Sequence, residues 1–517
     1  MLKETYLIDT NKHIFLIFFF TILFRFPYFF GHITGDEDTF IILGNWINKG
    51  GLPEVGLSEG KPPLPFFIYA AIIEIFGKSI FFVRLIGCMF VCLASLLIYL
   101  IFLSFYNKDL AFFSSILYSF LASYIIGNDS LQAFLTDHIA VVFILLSFFF
   151  LNKFNNGFKN YIIYGFLIGI AAQSRANLII LALFSVFIPF FLEKKIKNIF
   201  QKITFITLGG FFSLLPVLSI YMINGHFIEF LNASILGPID FANQKIDRLR
   251  TFLKLIFNGL NLNLIHHNEA INIFKIIISC YFFLFSLCGI LHNLKNFYFH
   301  NIKKNKKIFF LNYFLIFITL SIILTNRDYP HHLIQMVPFI IFYFIFFHKN
   351  YLKKKICFII SVIIISFGII LISNKYISMI NFFLKNNNLE TGVCYQVKKY
   401  LDNEKFNKNK NLYAFDCLML YWVYDKFPLD GLANPFYFEK NTYRHNILDN
   451  NLDRLFNEAT IYIITNKKYP LDRIFRKFTN WNDTKIIQFN KKYDLVKEIE
   501  NIFIYKKKSI ILENNLN

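Results

Sequence analysis

Three acids and one lysine are the residues of this chain best placed to do chemistry. Asp36, Glu37 and Asp38 directly follow an apolar run, and a Lys-Pro-Pro hook, Lys61 to Pro63, begins 25 positions after Asp36. Charged side chains at the edge of a bilayer are costly, which marks them as candidates for function. Proline restricts the residue before it to extended backbone and fixes its own φ, so Lys61 is presented on a stiff support. A partly buried carboxylate, its pKa raised towards the working pH, can take a proton from a hydroxyl. An ammonium can stabilise a departing phosphate oxygen. Held together at a membrane surface, the two suit chemistry on a lipid headgroup.

Other candidates are spread along the chain. Arg84 opens an apolar run, Arg175 interrupts another, and Asp137 follows Thr136 at the head of a third. Arg327, His331 and His332 precede a late run and can complete a phosphate site. Each also has a plain reading. The acids can cap a surface helix, with Asp38 well placed to do so. Lys61 can snorkel, Thr136 and Asp137 can cap their helix, and the arginines can be interfacial anchors. His266, His267 and Glu269 resemble metal ligands at first sight, but no third separated ligand accompanies them, so a surface loop is the better reading.

Positioning such residues requires a membrane. The chain has 517 residues, 56% hydrophobic, 20% aromatic and 17% charged, with 70 Phe. Its mean hydropathy of +0.49 indicates a polytopic membrane protein and excludes a large soluble enzyme. The net charge of +20 does not point to nucleic acid, because the lysines gather in short loops between apolar runs. Of seven Cys, five lie in apolar runs and act as small hydrophobes.

The first span runs from about 13 to 30, with no small-residue cleavage site after it, so it is expected to be retained. Further apolar runs fall at about 80–105, 110–126, 135–151, 160–173, 176–192, 203–222, 270–292, 308–325, 332–347 and 356–373, giving about eleven spans. Placing the N-terminus in the cytoplasm puts the loops 107–109, 152–160, 193–202, 293–307 and 348–355 inside, and all but the first are clearly basic. The Asp36 loop, the Lys61 hook and the C-terminus then face out. Helical spacing of Phe40, Ile41, Leu43, Trp46 and Ile47 predicts a short amphipathic helix on the membrane surface, and 241–260 predicts a second. The expected division is a membrane domain over 1–373, with outer loops at 31–79 and 223–269, and an extracytoplasmic α/β domain over 374–517. Strands are expected at 412–415, 460–465, 485–489 and 502–507, with a helix before them at 394–401. Cys394 and Cys417 in this part either pair or remain buried thiols.

These motifs resemble the ArnT/PMT-like superfamily, GT-C membrane glycosyltransferases that use polyprenyl-phosphate sugars. The resemblance rests on DEDTF, then GKPPLPFFIYA, then FGKSIFFVRL at 76–85, and a late YPHHLIQMVP at 329–338. It is dense over about 31–85, sparse but ordered to 338, and does not reach the C-terminal part. His332 stands where the family more often has tyrosine. The resemblance implies Asp36 as the base of an inverting transfer, with Glu37 the second acid of the family pair. Lys61, Arg84, Arg175, Arg327 and His331 are candidates for the donor phosphate, and Asp137, Asp38 and His332 for acceptor binding or support. Acids at i and i+2 also have divalent-metal spacing, but the branch resembled is thought not to need a metal, so no cofactor is expected.

The sequence therefore reads as a GT-C glycosyltransferase of a bacterial cytoplasmic membrane, with a polyprenyl-phosphate-linked sugar as donor. The acceptor is a lipid such as lipid A, a surface glycan or a protein. A flippase for polyprenyl-linked glycans and a non-catalytic assembly protein remain as alternatives.

Overall fold

The computed structural model describes residues 2–31, 35–125, 131–153, 157–243, 247–259, 270–297, 306–325, 329–351, 354–386, 392–406, 411–428, 460–468, 470 and 483–508. Helix α1 (Leu2–Arg25) leads into a loop that carries α2 (Gly35–Asn48), two short strands β1 (Leu52–Pro53) and β2 (Gly56–Leu57), and α3 (Leu64–Phe76). Then come α4 (Ile80–Phe102), α5 (Lys108–Phe120), α6 (Thr136–Lys153), α7 (Phe158–Ser174), α8 (Ile179–Ser185), α9 (Ile188–Leu192) and α10 (Ile196–Ile223). The short α11 (Phe227–Leu231) and α12 (Gly237–Asn243) precede α13 (Arg248–Gly259). The apolar series closes with α14 (Ala270–Phe297), α15 (Lys306–Thr325), α16 (Val337–Tyr351) and α17 (Lys354–Asn386).

Helical structure coincides with each apolar run of the sequence. Four described helical segments are long and apolar enough to cross a bilayer, namely Ile80–Phe102, Ile196–Ile223, Lys275–Asn293 and Lys306–Thr325. The bundle packs closely where side chains are small. A Cβ on Gly165 of α7 would lie 2.1 Å from the Ile206 carbonyl of α10, and one on Gly209 would lie 2.1 Å from the Ile162 carbonyl. Glycines let these two backbones touch, as small residues do between membrane helices. The run at 332–347 is not one helix. Residues Pro330–Gln335 form a 3-10 turn before α16, bounded by Pro330 and Pro338, which cannot donate to a continuing helix.

Helix α2 forms where expected, but its surroundings differ. Instead of resting one face on a membrane, it is buried from Glu37 to Asn45. It packs on α3 along one flank and on α19 (Met419–Val423) along another. Gly44 permits the approach of α3, since a Cβ there would meet the Ala70 nitrogen at 2.9 Å. The single surface helix expected at 241–260 is instead two helices, α12 and α13.

After α18 (Val393–Asn403), a four-stranded sheet has the order β3-β4-β6-β5. Its strands are β3 (Asn411–Ala414), β4 (Thr460–Asn466), β5 (Tyr493–Ile499) and β6 (Ile502–Lys507). β3 and β4 are parallel, and β6 pairs antiparallel with both β4 and β5. Residues 485–489 are not a strand; they lie in α20 (Asp483–Asn490). Asp483 favours the helix start, and Ile486 alone of the pair Ile486–Ile487 is buried, as one helix face requires. Cys394 and Cys417 form a disulfide that ties α18 to the turn before α19.

Candidate active site

The three consecutive acids open α2, where carboxylates suit the exposed amide groups of a helix start. Each residue of a helix turns about 100° from the last, so three neighbours cannot face one ligand. Asp36, whose side chain is 20% exposed, turns to Lys61, with Nζ and Oδ1 3.6 Å apart. Glu37 turns inward to Arg84. Asp38 turns to the C-terminal segment and accepts from the Met419 amide at 3.1 Å. The i, i+2 acids Asp36 and Asp38 thus hold different partners.

Lys61 also lies 2.7 Å from Glu59, and its ammonium stands over the Phe40 ring, 4.6 Å from the centroid. Burial pushes the ammonium towards losing its proton, but Asp36 and Glu59 outweigh that, and Lys61 titrates above its ordinary value. It is therefore a fixed cation at neutral pH. The loop that presents it is tied down by Glu54, whose carboxylate accepts from the Ser58 hydroxyl at 2.5 Å, the Glu59 amide at 2.9 Å and the Gly60 amide. A hydrogen bond of 2.9 Å from the Tyr221 hydroxyl to the Pro53 carbonyl fastens the same loop to α10.

A second group of charges faces this one. Helix α7 ends at Arg175, which takes extended backbone, φ −148°. Arg175 Nε lies 3.1 Å from Asp137 Oδ1, and its Nη1 donates to the Thr136 hydroxyl at 3.3 Å. Gln335 donates to the same Asp137 oxygen at 2.7 Å, and Asn177 donates to Gln335 at 3.0 Å. The other oxygen of Asp137, Oδ2, is buried with no hydrogen-bond partner among the described residues. His331 and His332 meet edge to face with ring centres 4.7 Å apart. Burial lowers the His331 pKa; Asp137 opposes this and Arg175 reinforces it, with Asp36 and Lys61 acting more weakly. His331 is therefore neutral near pH 7 and lies within electrostatic reach of both charge groups.

Between the groups is a cavity of about 240 Å³. Lys61, Thr136, Ser174, Arg175, Asn177 and His332 contribute polar walls, while Ile179, Ile180, Ile235, Pro238, Ile239 and Leu324 contribute apolar ones. It joins two cations to a greasy lining, the character needed by a phosphate that carries a hydrocarbon tail.

Of the residues singled out in the sequence, Lys61, Arg175 and His332 line this cavity, and Asp36, Asp137 and His331 stand against them in turn. Glu37 and Arg84 do not line the cavity. Arg84 Nη2 lies 2.7 Å from Glu37, with the two side chains 0% and 1% exposed. Arg84 also donates to the Tyr28 and Gly31 carbonyls, while Glu37 accepts from the Phe134 amide at 3.0 Å. Arg327, His266, His267 and Glu269 lie outside the described residues. Sequence reasoning passed over Glu59, Glu54, Asn177 and Gln335. Glu59 stands two residues before the Lys-Pro-Pro hook, and Gln335 lies inside the YPHHLIQMVP stretch, so position beside a motif was the available signal.

Residues 60–222 match the family model described as dolichyl-phosphate-mannose-protein mannosyltransferase. No curated protein matches the chain. Among solved structures, it resembles the oligosaccharyltransferase AglB from Archaeoglobus fulgidus in complex with an inhibitory peptide and a dolichol-phosphate. That match has a TM-score of 0.50 and 11% identity, and covers 98% of this chain and 75% of that one. The apo form of the A. fulgidus oligosaccharyltransferase gives a TM-score of 0.50 at 12% identity, with coverage of 98% and 75%. At such identity the likeness is one of fold. With the family match over the segment that carries Lys61, Arg84, Asp137 and Arg175, it indicates a glycosyltransferase with the fold of these oligosaccharyltransferases.

Proposed function

We propose that the protein transfers a sugar, with inversion, from a polyprenyl-phosphate carrier to an outward-facing acceptor in a bacterial cytoplasmic membrane. Asp36 removes the proton from the acceptor hydroxyl. The freed oxygen attacks the anomeric carbon from the side opposite the phosphate, and a new glycosidic bond forms as the bond from carbon to phosphate oxygen breaks. The electron pair leaves with the polyprenyl phosphate, whose charge Lys61 and Arg175 hold. Asp137 and Gln335 orient Arg175, and neutral His331 and His332 donate or accept hydrogen bonds at the sugar phosphate. The apolar walls take the first units of the carrier. Glu37 and Arg84 act by fixing the start of α2 and hence the direction of Asp36. The acceptor is lipid A, another surface glycan or a protein, and the segment after 374 helps to bind it.

The observation that carries this reading is the cavity that joins Lys61 and Arg175 to apolar walls beside Asp36. Its test is donor binding by the full-length protein in detergent, using a sugar-loaded polyprenyl phosphate. Lys61→Met is expected to weaken binding roughly 10- to 100-fold, the worth of a charge-assisted hydrogen bond. Binding equal to wild type would remove the phosphate from this cavity.

A further inference from the structure

A second cavity lies away from the Asp36 and Lys61 centre, where the first turn of α4 meets the C-terminal segment. It measures about 410 Å³, and its walls include Lys78, Ser79, Phe81, Lys398 and Trp422. No acid is among the described residues that line it. Three independent features make it rich in donors. The first is the start of α4, a helix of 23 residues whose N-cap Ser79 makes no side-chain cap. Its opening amide groups carry the positive end of the helix dipole. The second is the pair of lysines. Lys78 donates to the Trp422 carbonyl at 3.3 Å and pairs with Asp425, and Lys398 pairs with Asp402 at 3.0 Å. An ammonium has three donors, so each lysine retains at least one. The third is Trp422, which is 6% exposed and whose indole Nε1 has no hydrogen-bond partner among the described residues. An indole N–H can only donate, and leaving it buried without an acceptor is costly. Donors from the helix start, the two lysines and Trp422 call for an acceptor with several oxygens.

The setting says what carries those oxygens. α4 is one of the segments long and apolar enough to cross a bilayer, and the cavity sits at its first turn, beside Phe30, Ile80 and Phe81. The end of a membrane-spanning helix lies at the depth of lipid headgroups, and the cavity walls carry both apolar side chains and lysines. We propose that this cavity is a phosphate site occupied by the headgroup of an anionic lipid. The site is distinct from the proposed donor cavity and does not depend on the transfer reaction.

The test uses full-length protein in a neutral detergent, with bound ligand counted by native mass spectrometry. Phosphatidylglycerol, phosphatidylcholine and soluble glycerol 1-phosphate are titrated separately into wild type, Trp422→Phe and Lys398→Gln. Trp422→Phe keeps an aromatic ring but loses the indole N–H and the fused five-membered ring, and Lys398→Gln alters a residue whose side chain is a third exposed; the melting temperature of each variant is read beside binding to confirm that it folds. Phosphatidylglycerol is expected to bind wild type in preference to phosphatidylcholine, and each substitution to weaken it roughly 3- to 10-fold. If glycerol 1-phosphate binds with the same losses, the phosphate site stands and its ligand is the free ester. Binding that neither substitution weakens, or equal binding of both lipids, would overturn the proposal.

Discussion

Asp36 and Glu37 are neighbours in one turn of α2, yet their charges sit in opposite surroundings. Glu37 is sealed with Arg84 at 1% exposure or less, its oxygens filled by a guanidinium and the Phe134 amide. Asp36 is 20% exposed, 3.6 Å from a lysine that lines a cavity. The same residue chemistry therefore meets two environments, and helix rotation decides which acid gets which. A buried ion pair with filled hydrogen bonds holds backbone in place. A partly open one can exchange its partner for a ligand.

The sealed side should respond through stability. Arg84→Gln leaves Glu37 buried without its counter-charge and is expected to cost about 3–5 kcal/mol, since breaking such a pair strands a charge. A denaturation midpoint in detergent measures it, and a loss below about 1 kcal/mol would mean that water reaches the pair. The open side should respond to pH. Burial lowers the His331 pKa, so as pH falls below its ordinary value of 6.5 the unfolded chain takes a proton that the folded site resists. Stability is then lost downward from that point, by at most about 1.4 kcal/mol per pH unit. His331→Asn should flatten the slope of melting temperature between pH 7 and pH 5; an unchanged slope would assign the titration to another group. A third ion pair gives the smallest effect. Asp425 is held well below the usual carboxylate range by Lys49 at 2.8 Å and by Lys78, but its side chain is 43% exposed. Solvent screens such contacts, so Asp425→Asn should cost under about 1 kcal/mol, less at high salt.

Much of this was legible in the sequence because it is local. The Lys-Pro-Pro hook and the acids that open α2 lie within one loop, and the apolar runs report their helices directly. Less visible was anything set by direction or by a distant partner. Glu37 and Asp36 look equivalent until the phase of α2 is known, and nothing in FFVRL says that Arg84 points at Glu37 rather than at a ligand. The amphipathic spacing of α2 suggested a membrane face, but the apolar face packs on α3 and the acids meet Arg84 and Met419. Residues 485–489 read equally as strand or helix, as short apolar runs do. β5 was missed because only Tyr493 at its start is fully buried, so pairing with β6 rather than an alternating pattern makes it a strand.

The most direct measurement sets Asp36→Asn beside Glu37→Gln in one preparation, reading both sugar transfer from a polyprenyl-phosphate donor and melting temperature. Asp36→Asn is expected to lose roughly 100-fold or more of turnover while donor binding and melting temperature stay near wild type. Glu37→Gln is expected to melt well below wild type. Turnover by Asp36→Asn at the wild-type rate would contradict the account, and would move the base to another carboxylate of the site, Glu59 or Asp137.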